Sequence, residues 1–215
     1  MGESSESEDL LRRAADGDRD ALAALFARHR DRLEQMVLLR LDRRLRSRID
    51  PADVLQETYL EAARRIAVFA RAPTTSVYVW LRVLAGQKLV DLTRRHLGAK
   101  MRDAGQEISL HRGALPQASS LSLAAQLLGR LTSPSRAAIR AETRLRVQEA
   151  LNSLDPIDRE ILALRHFELL TNGEVAQVLG LSKAAASNRY VRALKRLKEI
   201  LSTVPGLEPH RAGSP

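Results

Sequence analysis

The sequence predicts an all-α protein of two small helical domains joined by a flexible linker. Ala, Leu, Arg and Glu dominate the 215 residues, a composition that favours helices. β-Branched residues almost never alternate with a period of two, so little or no sheet is expected. Glycine, proline and serine gather between residues 98 and 135, and this stretch separates two regions whose apolar residues recur at helical spacing.

The charge and composition exclude several classes of protein. The net charge of +9 favours a polyanionic partner, most simply nucleic acid, although a solvated arginine-rich surface would produce the same count. The absence of cysteine excludes disulfides, thiol catalysis and cysteine-bound zinc, and the five histidines show no metal-ligand spacing. No apolar run approaches the ~18 residues of a membrane span. The acidic start of the chain does not resemble a signal peptide, so we expect a cytoplasmic protein without membrane insertion.

The expected organisation follows the changes in composition along the chain. Local signals mark two helix starts, because Asp50-Pro51 and Asp155-Pro156 each combine a capping residue with a proline suited to the first helical turn. The first of these helices is expected to run to about Ala67, and another from Val77 to His96. The predicted divisions are a disordered tail at 1–8, a helical domain at 9–97, a linker at 98–144, a second helical domain at 145–204 and a tail at 205–215. Before about residue 136, the linker is expected to contain at most short helical turns.

The segment from Thr171 to Leu197 is typical of a helix-turn-helix with a basic second helix. Thr171 and Glu174 have the spacing of a capping box for the first helix. Gly180 can adopt the positive φ that the tight turn requires, and Ser182 is a good N-cap for the second helix. An ordinary basic amphipathic helix on a bundle is the alternative, but it does not explain the agreement of the caps and the turn.

The second helix of this motif carries residues that suit a DNA major groove. In such motifs the first turns of the recognition helix meet base edges, and amide or ammonium groups can read adenine and guanine there. Cations farther along suit phosphates, which anchor the protein without specifying sequence. The residues expected to bind DNA here are Ser182, Lys183, Ala184, Ser187, Asn188, Arg189, Arg192 and Lys195.

Two more constellations lie in the first helical domain. Acids at the start of the helix after Asp50 complement the helix dipole, so a capping role is one alternative to partner binding. A metal site formed by Asp50, Asp53 and Glu57 is another. The next helix joins an apolar stripe to the only tryptophan, Trp80, and to several cations. Trp80 is by default a core residue, and Arg82 could equally be a solvated surface charge.

Taken in order, the three constellations resemble the regions of a sigma-70 family RNA polymerase sigma factor of the extracytoplasmic-function (ECF) class. The run from Asp50 to Tyr59 is similar to the region 2.2 motif, Trp80 to Arg95 is similar to regions 2.3 and 2.4, and the helix-turn-helix is similar to region 4. The segments Leu181–Tyr190 and Arg94–Asp103 also resemble a subgroup common in planctomycete-type bacteria. Gln87 departs from the family pattern, which has asparagine in the pocket for a flipped base of the −10 element.

The resemblance implies a set of partners and binding residues. Its partners would be core RNA polymerase, through the β′ coiled coil and the β flap, promoter DNA, and an anti-sigma factor. No cofactor and no enzymatic activity are implied. The polymerase-binding residues would be Asp50, Asp53, Val54, Gln56, Glu57 and Tyr59, and the −10 element would be held by Trp80, Arg82, Gln87, Lys88, Asp91, Arg94 and Arg95. The helix-turn-helix residues given above would read the −35 element.

Two other functions remain open on sequence alone. A stand-alone helix-turn-helix regulator would bind duplex DNA as a dimer, with residues 9–97 as a sensor or dimerisation domain. An anti-sigma-bound adaptor or inactive decoy would bind core polymerase without opening DNA. The helix that begins after Asp50 separates the first of these from a sigma factor, because a plain regulator has no need for a polymerase-binding face.

Overall fold

Helices form all of the regular structure in the part of the chain that the computed structural model describes, residues 2–97, 117–131 and 137–202. The chain divides into two compact units, residues 1–116 and 117–215. The first unit contains α1 (Gly2–Ala15), α2 (Arg19–Arg40), a 3₁₀ turn (Arg43–Leu45), α3 (Pro51–Arg71) and α4 (Val77–Leu97). The second contains α5 (Ser120–Leu131), α6 (Ala137–Asn152), α7 (Pro156–His166), α8 (Asn172–Leu179) and α9 (Lys183–Leu201). The predicted all-α fold class is therefore confirmed.

Local capping chemistry sets the helix starts in the first unit. The Asp18 carboxylate accepts hydrogen bonds from the backbone N–H groups of Asp20 and Ala21, both at 3.0 Å, and so caps α2. Asp50 caps α3 in the same way, accepting from the Ala52 N–H at 2.9 Å, with Pro51 in the first turn as expected. These bonds satisfy backbone donors that have no partner inside the helix.

The core of the first unit lies among its four helices. Leu33 and Met36 of α2 are completely buried. A second cluster joins Leu10 of α1, Leu25 of α2 and Ile66 of α3, and Trp80 packs against it from α4. Each helix therefore buries an apolar stripe and leaves most of its polar residues outside, which is how an amphipathic helix gains stability in a bundle.

The helix-turn-helix in the second unit has the predicted local structure. Thr171 and Glu174 form a complete capping box, in which the Thr171 N–H donates to the Glu174 carboxylate at 2.9 Å and the Glu174 N–H donates to the Thr171 hydroxyl at 3.2 Å. Gly180 ends α8 with φ +64°, and the Ser182 hydroxyl accepts from the Ala185 N–H at 3.1 Å. These bonds fix both ends of the turn, so the direction in which α9 leaves is set by short-range chemistry.

Replacing Gly180 by alanine should lower the free energy of unfolding of the second unit by about 1 kcal/mol, because only backbone strain opposes a side chain there. A Cβ at residue 180 meets no atom within 4 Å. Gly173→Ala is the matched control, since Gly173 lies inside α8 and its Cβ would make an ordinary 3.5 Å contact with Lys183 Cε. We expect that change to be neutral or to stabilise by about 0.5–1 kcal/mol. Thermal unfolding followed by circular dichroism measures the stability of the two variants. An equal loss of stability in both would show that the positive φ of Gly180 does not cause the effect.

Two expected boundaries differ from the structure. Residues 120–131, expected to belong to a linker with at most short helical turns, form α5, which packs against α6 in the second unit. Its buried residues Leu123, Ala124 and Leu128 recur at helical spacing, and packing outweighs the local effect of the nearby serines and Gly129. At the other end, a disordered tail is expected at 1–8, but α1 begins at Gly2, so residues 2–8 are helical. Arg28 of α2 contacts both Glu6 and Ser7 of that segment.

The remaining expectations about connecting segments fall outside the described residues. These are the first part of the linker, 98–116, its short stretch at 132–136, the end of the second domain at 203–204 and the tail at 205–215. Among the helices that are described, none combines the length and apolar character needed to cross a membrane.

Candidate nucleic-acid and protein interfaces

The recognition helix α9 separates its packing residues from its exposed residues. Ala186 and Ala193 are completely buried, and Leu197 is nearly so. Ser182, expected at the DNA interface, caps the helix with its hydroxyl. The other expected base-facing residues are all exposed, namely Lys183, Ala184, Ser187 and Asn188. The first two turns of α9 therefore expose three polar side chains and one methyl group, which are suited to base edges.

Contacts with α7 and α8 hold α9 in place. The side-chain amide of Asn172, at the start of α8, donates to the Lys183 carbonyl at 2.9 Å. Farther along, Arg189 and Arg192 both bond to Asp158 of α7, Arg189 at 2.7 Å and Arg192 at 3.1 Å. The expectation that both arginines serve as phosphate contacts does not fit this arrangement, because Asp158 already engages them. Lys195 remains exposed, as a phosphate contact requires.

The arginines change the protonation of Asp158. Burial by itself would raise the pKa of this carboxyl, but the hydrogen bonds and charges of Arg192 and Arg189 hold its pKa below the ordinary value. Asp158 is therefore ionised at neutral pH although its side chain is only 8% exposed. An ionised carboxylate in the first turn of α7 is also stabilised by the helix dipole.

One face of α4 displays most of the residues expected at the −10 element. Gln87, Asp91, Arg94 and Arg95 are exposed and recur at spacings of three and four, so they line one side of the last turns. Lys88 points toward α3 instead, where its ammonium lies 3.2 Å from the Glu61 carboxylate. The pKa of Glu61 is lowered, first by this hydrogen bond and further by the charge of Arg65. Lys88 thus ties α4 to α3 rather than extending the exposed face.

Trp80 lies half-buried at the other end of α4. Its ring stacks on that of Phe69, with centroids 4.4 Å apart and planes 9° from parallel. The same side chain also packs on the core cluster that contains Leu25, which agrees with a core role for this tryptophan.

Arg82 corrects one expectation about this helix. It is only 3% exposed, in a stripe with Ala85 and Leu89, which are buried as well. Positions 82, 85 and 89 share the inner face of α4, so the guanidinium is directed into the bundle. Arg82 is therefore not available to a DNA backbone in this conformation.

The outer face of α3 contains four of the six residues expected to contact polymerase. Asp53 and Gln56 are exposed, Glu57 is half-buried, and Leu60 beside them is 45% exposed. Asp50 is exposed at the start of the helix, where it acts as the N-cap. These residues form a polar surface with one apolar side chain, which we call the α3 face and define as residues 50, 53, 56, 57 and 60.

The other two residues expected at that interface belong to the core. Val54 is completely buried in the inner stripe of α3. Tyr59 packs on the cluster of Leu25 and makes an edge contact with Phe26, with ring centroids 5.4 Å apart. Their expected role is therefore corrected to support of the helix. Across residues 2–97, 117–131 and 137–202, no three His, Cys, Asp or Glu side chains could together hold a metal ion.

The sequence gives no sign of three residues that contact the expected site residues. Phe69 stacks on Trp80, Glu61 pairs with Lys88, and Asp158 holds the two recognition-helix arginines. Each contact joins residues that lie between 11 and 34 positions apart in the sequence, so no local pattern indicates the pairing.

Acid should destabilise the protein partly through Glu61 and Asp158. Both have folded-state pKa values below the ordinary ones, so their stabilising effect is complete above about pH 5 and is lost as the pH falls through the folded values. We expect the melting temperature to be flat from pH 7 to about 5 and to fall below about pH 4. In the variant Glu61→Gln with Asp158→Asn the acid-induced decrease should be smaller. An identical pH profile for variant and wild type would contradict this assignment.

Comparison with known proteins agrees with this arrangement. Residues 144–197 match the family described as sigma-70, region 4. The ECF RNA polymerase sigma factor SigK of Mycobacterium tuberculosis is 28% identical over 198 residues, which are 92% of this chain and 95% of SigK. The RNA polymerase sigma factor CarQ of Myxococcus xanthus is 27% identical over 191 residues, 89% of this chain and 95% of CarQ.

The fold has a counterpart among solved structures. The structure of CnrH in complex with the cytosolic domain of CnrY matches with a TM-score of 0.54 at 24% identity, covering 92% of this chain and 97% of that chain. The sequence relatives extend over both units rather than over the helix-turn-helix alone. The chain is therefore similar to sigma factors of the sigma-70 family, including one of the extracytoplasmic-function class, along most of its length.

Proposed function

We propose that the protein is the dissociable specificity subunit of a bacterial RNA polymerase, which binds the core enzyme and directs it to promoters. One observation carries the proposal. A helix-turn-helix with an exposed, basic recognition helix occurs in a chain whose relatives, named as RNA polymerase sigma factors, match both of its units. A plain DNA-binding regulator would explain the helix-turn-helix but not the likeness of the first unit.

The two units have different roles in this proposal. In the first, the α3 face binds core polymerase, and the exposed side of α4 holds the −10 strand through Gln87, Asp91, Arg94 and Arg95, with Trp80 at its start. Cations that follow the strand are suited to the phosphates of single-stranded DNA. Arg82 and Val54 take no part, because both are buried.

In the second unit the start of α9 enters the major groove of the −35 element. Lys183, Ser187 and Asn188 meet base edges there, and the methyl group of Ala184 can contact thymine. Lys195, about two turns after Asn188, contacts a phosphate. The protein catalyses no reaction in this scheme. It acts in the cytoplasm, where the polymerase is found.

A protein inhibitor is part of the proposal. The family resemblance implies an anti-sigma factor, and the solved structure of CnrH, which has a similar fold, is a complex with a second protein, the cytosolic domain of CnrY. Such an inhibitor would compete with core polymerase for the first unit.

The test is a pull-down of core RNA polymerase with the purified full-length chain, followed by transcription from genomic DNA fragments and sequencing of the start sites. We expect retention of core enzyme and transcripts from a small set of promoters that share −10 and −35 sequences. Tight binding of duplex DNA by the chain alone, with no retention of core enzyme, would replace the proposal with a stand-alone regulator. Retention of core enzyme without promoter-specific transcripts would indicate an inactive adaptor.

A further inference from the structure

A single buried carboxylate engages two arginines of the recognition helix. Oδ1 of Asp158 accepts from Nη1 of Arg189 at 2.7 Å and from Nη2 of Arg192 at 3.3 Å, while Oδ2 accepts from Nε of Arg192 at 3.1 Å. Asp155, three residues earlier, lies 3.4 Å from Nη1 of Arg189. We call these four residues the Asp158 clasp. It contains two acids and two cations and therefore has no net charge.

The clasp changes which cations of α9 can meet DNA. The side chain of Arg189 is 29% exposed, and that of Arg192 has one edge engaged although it is 62% exposed. Lys183 and Lys195 are exposed and are outside the clasp. Arg196 is paired only loosely with Glu199, at 3.6 Å between two exposed side chains. The recognition helix thus has fewer cations ready for phosphate than its sequence indicates.

We propose that Asp158 is a specificity-determining residue: by holding Arg189 and one edge of Arg192 against α7, it withholds these cations from the DNA phosphates. Base-facing side chains then contribute a larger fraction of the free energy of binding to the −35 element. This inference rests on the proposed function. Asp158 acts through the arginines and does not itself touch DNA.

The salt dependence of DNA binding provides the measure. Each phosphate contact adds about 0.9 to the slope of log affinity against log salt concentration. Releasing one or both arginines to phosphate should therefore steepen the slope by about 0.9–1.8, which raises the ratio of the affinities at 50 and 200 mM salt by about 3- to 12-fold. Non-specific DNA should gain most, because no base contacts fix the register and the freed arginines can settle on any phosphate.

The experiment measures binding of the reconstituted holoenzyme to two duplexes over a range of salt concentrations. One duplex contains a promoter found by the transcription experiment above, and the other has the same promoter with a scrambled −35 element. We expect Asp158→Asn to steepen the salt dependence and to lower discrimination between the duplexes at least threefold. Asp158→Glu, which keeps the charge, should behave like wild type. Glu149→Gln removes an exposed acid of α6 and controls for the change in net charge.

A second pair of variants tests the inference without altering Asp158. Arg189→Gln should leave the salt slope nearly unchanged, because Arg189 is withheld from phosphate, whereas Lys195→Gln should lower it by about 0.7–0.9. This comparison tests whether Arg189 is kept from phosphate even if Asp158→Asn does not fold. Thermal unfolding shows whether that variant is folded. An equal loss of slope in Arg189→Gln and Lys195→Gln overturns the inference. So does a folded Asp158→Asn variant with wild-type slope and discrimination.

Failure of the proposed function gives a different result. If wild-type chain and core enzyme together fail to distinguish the promoter from its scrambled version, the sigma-factor assignment fails before any variant is compared. If the wild-type holoenzyme distinguishes the two duplexes but the variants give either of the two contradicting results above, only the role of Asp158 is wrong.

Discussion

Replacing Asp53 and Glu57 by alanine should weaken the binding of core polymerase by about 10- to 100-fold, equivalent to about 1.4–2.8 kcal/mol. Asp53 is exposed and Glu57 half-buried on the α3 face, so both can reach a partner. Truncating a charge that is paired across an interface leaves the partner's charge unsatisfied, which is why a large loss is expected. Competition with labelled wild-type chain for core enzyme measures the effect.

The same change should leave the first unit folded. Neither Asp53 nor Glu57 belongs to the buried stripe of α3, so the melting temperature should stay close to that of wild type. Asp31→Ala with Glu34→Ala on α2 is the matched control, because it also removes one exposed and one half-buried acid. If both double variants compete for core enzyme as well as wild type does, the α3 face is not the site of contact.

Leu25→Ala should lower the free energy of unfolding of the first unit by about 2–5 kcal/mol. Leu25 is 1% exposed and lies in the cluster that joins α1, α2 and α3. Truncation removes buried apolar surface and leaves a cavity that the surrounding helices can fill only in part. With a typical dependence on urea, the unfolding midpoint should fall by about 1–2 M.

The only tryptophan reports this change directly. Trp80 packs against the same cluster, and the second unit contains no tryptophan, so its fluorescence follows unfolding of the first unit alone. Val68→Ala is the control, because Val68 is 70% exposed on α3 and its truncation should shift stability by no more than about 0.5 kcal/mol. Equal midpoints for the two variants would show that the cluster around Leu25 does not stabilise this unit.

Short-range chemistry made the helix-turn-helix predictable from sequence. The capping box of Thr171 and Glu174, the left-handed Gly180 and the Ser182 cap each depend on residues no more than four positions apart. The start of α3 at Asp50-Pro51 is predictable for the same reason. Signals of this kind are complete within a few residues, so tertiary structure has little opportunity to override them.

Long-range packing explains what the sequence did not indicate. α5 is helical although serines and Gly129 surround its apolar residues, because α6 covers its buried face. Arg82 resembles a surface cation in the sequence, but its position relative to Ala85 and Leu89 directs it inward. The pairing of Asp158 with Arg189 spans 31 residues. Each of these outcomes depends on which helices become neighbours, and composition alone does not determine that.

The division of α9 into a packed side and an exposed side bears on how promoter preference can evolve. Ala186 and Ala193 are both completely buried, so larger residues at either position would push the helices of the motif apart. The exposed set of Lys183, Ala184, Ser187 and Asn188 carries no such constraint, and most substitutions there should alter stability by no more than about 0.5 kcal/mol. Under the proposed function, substitutions at these positions can therefore change the DNA sequence that is read without unfolding the protein. A duplicated gene could in this way acquire its own set of promoters while keeping the same scaffold.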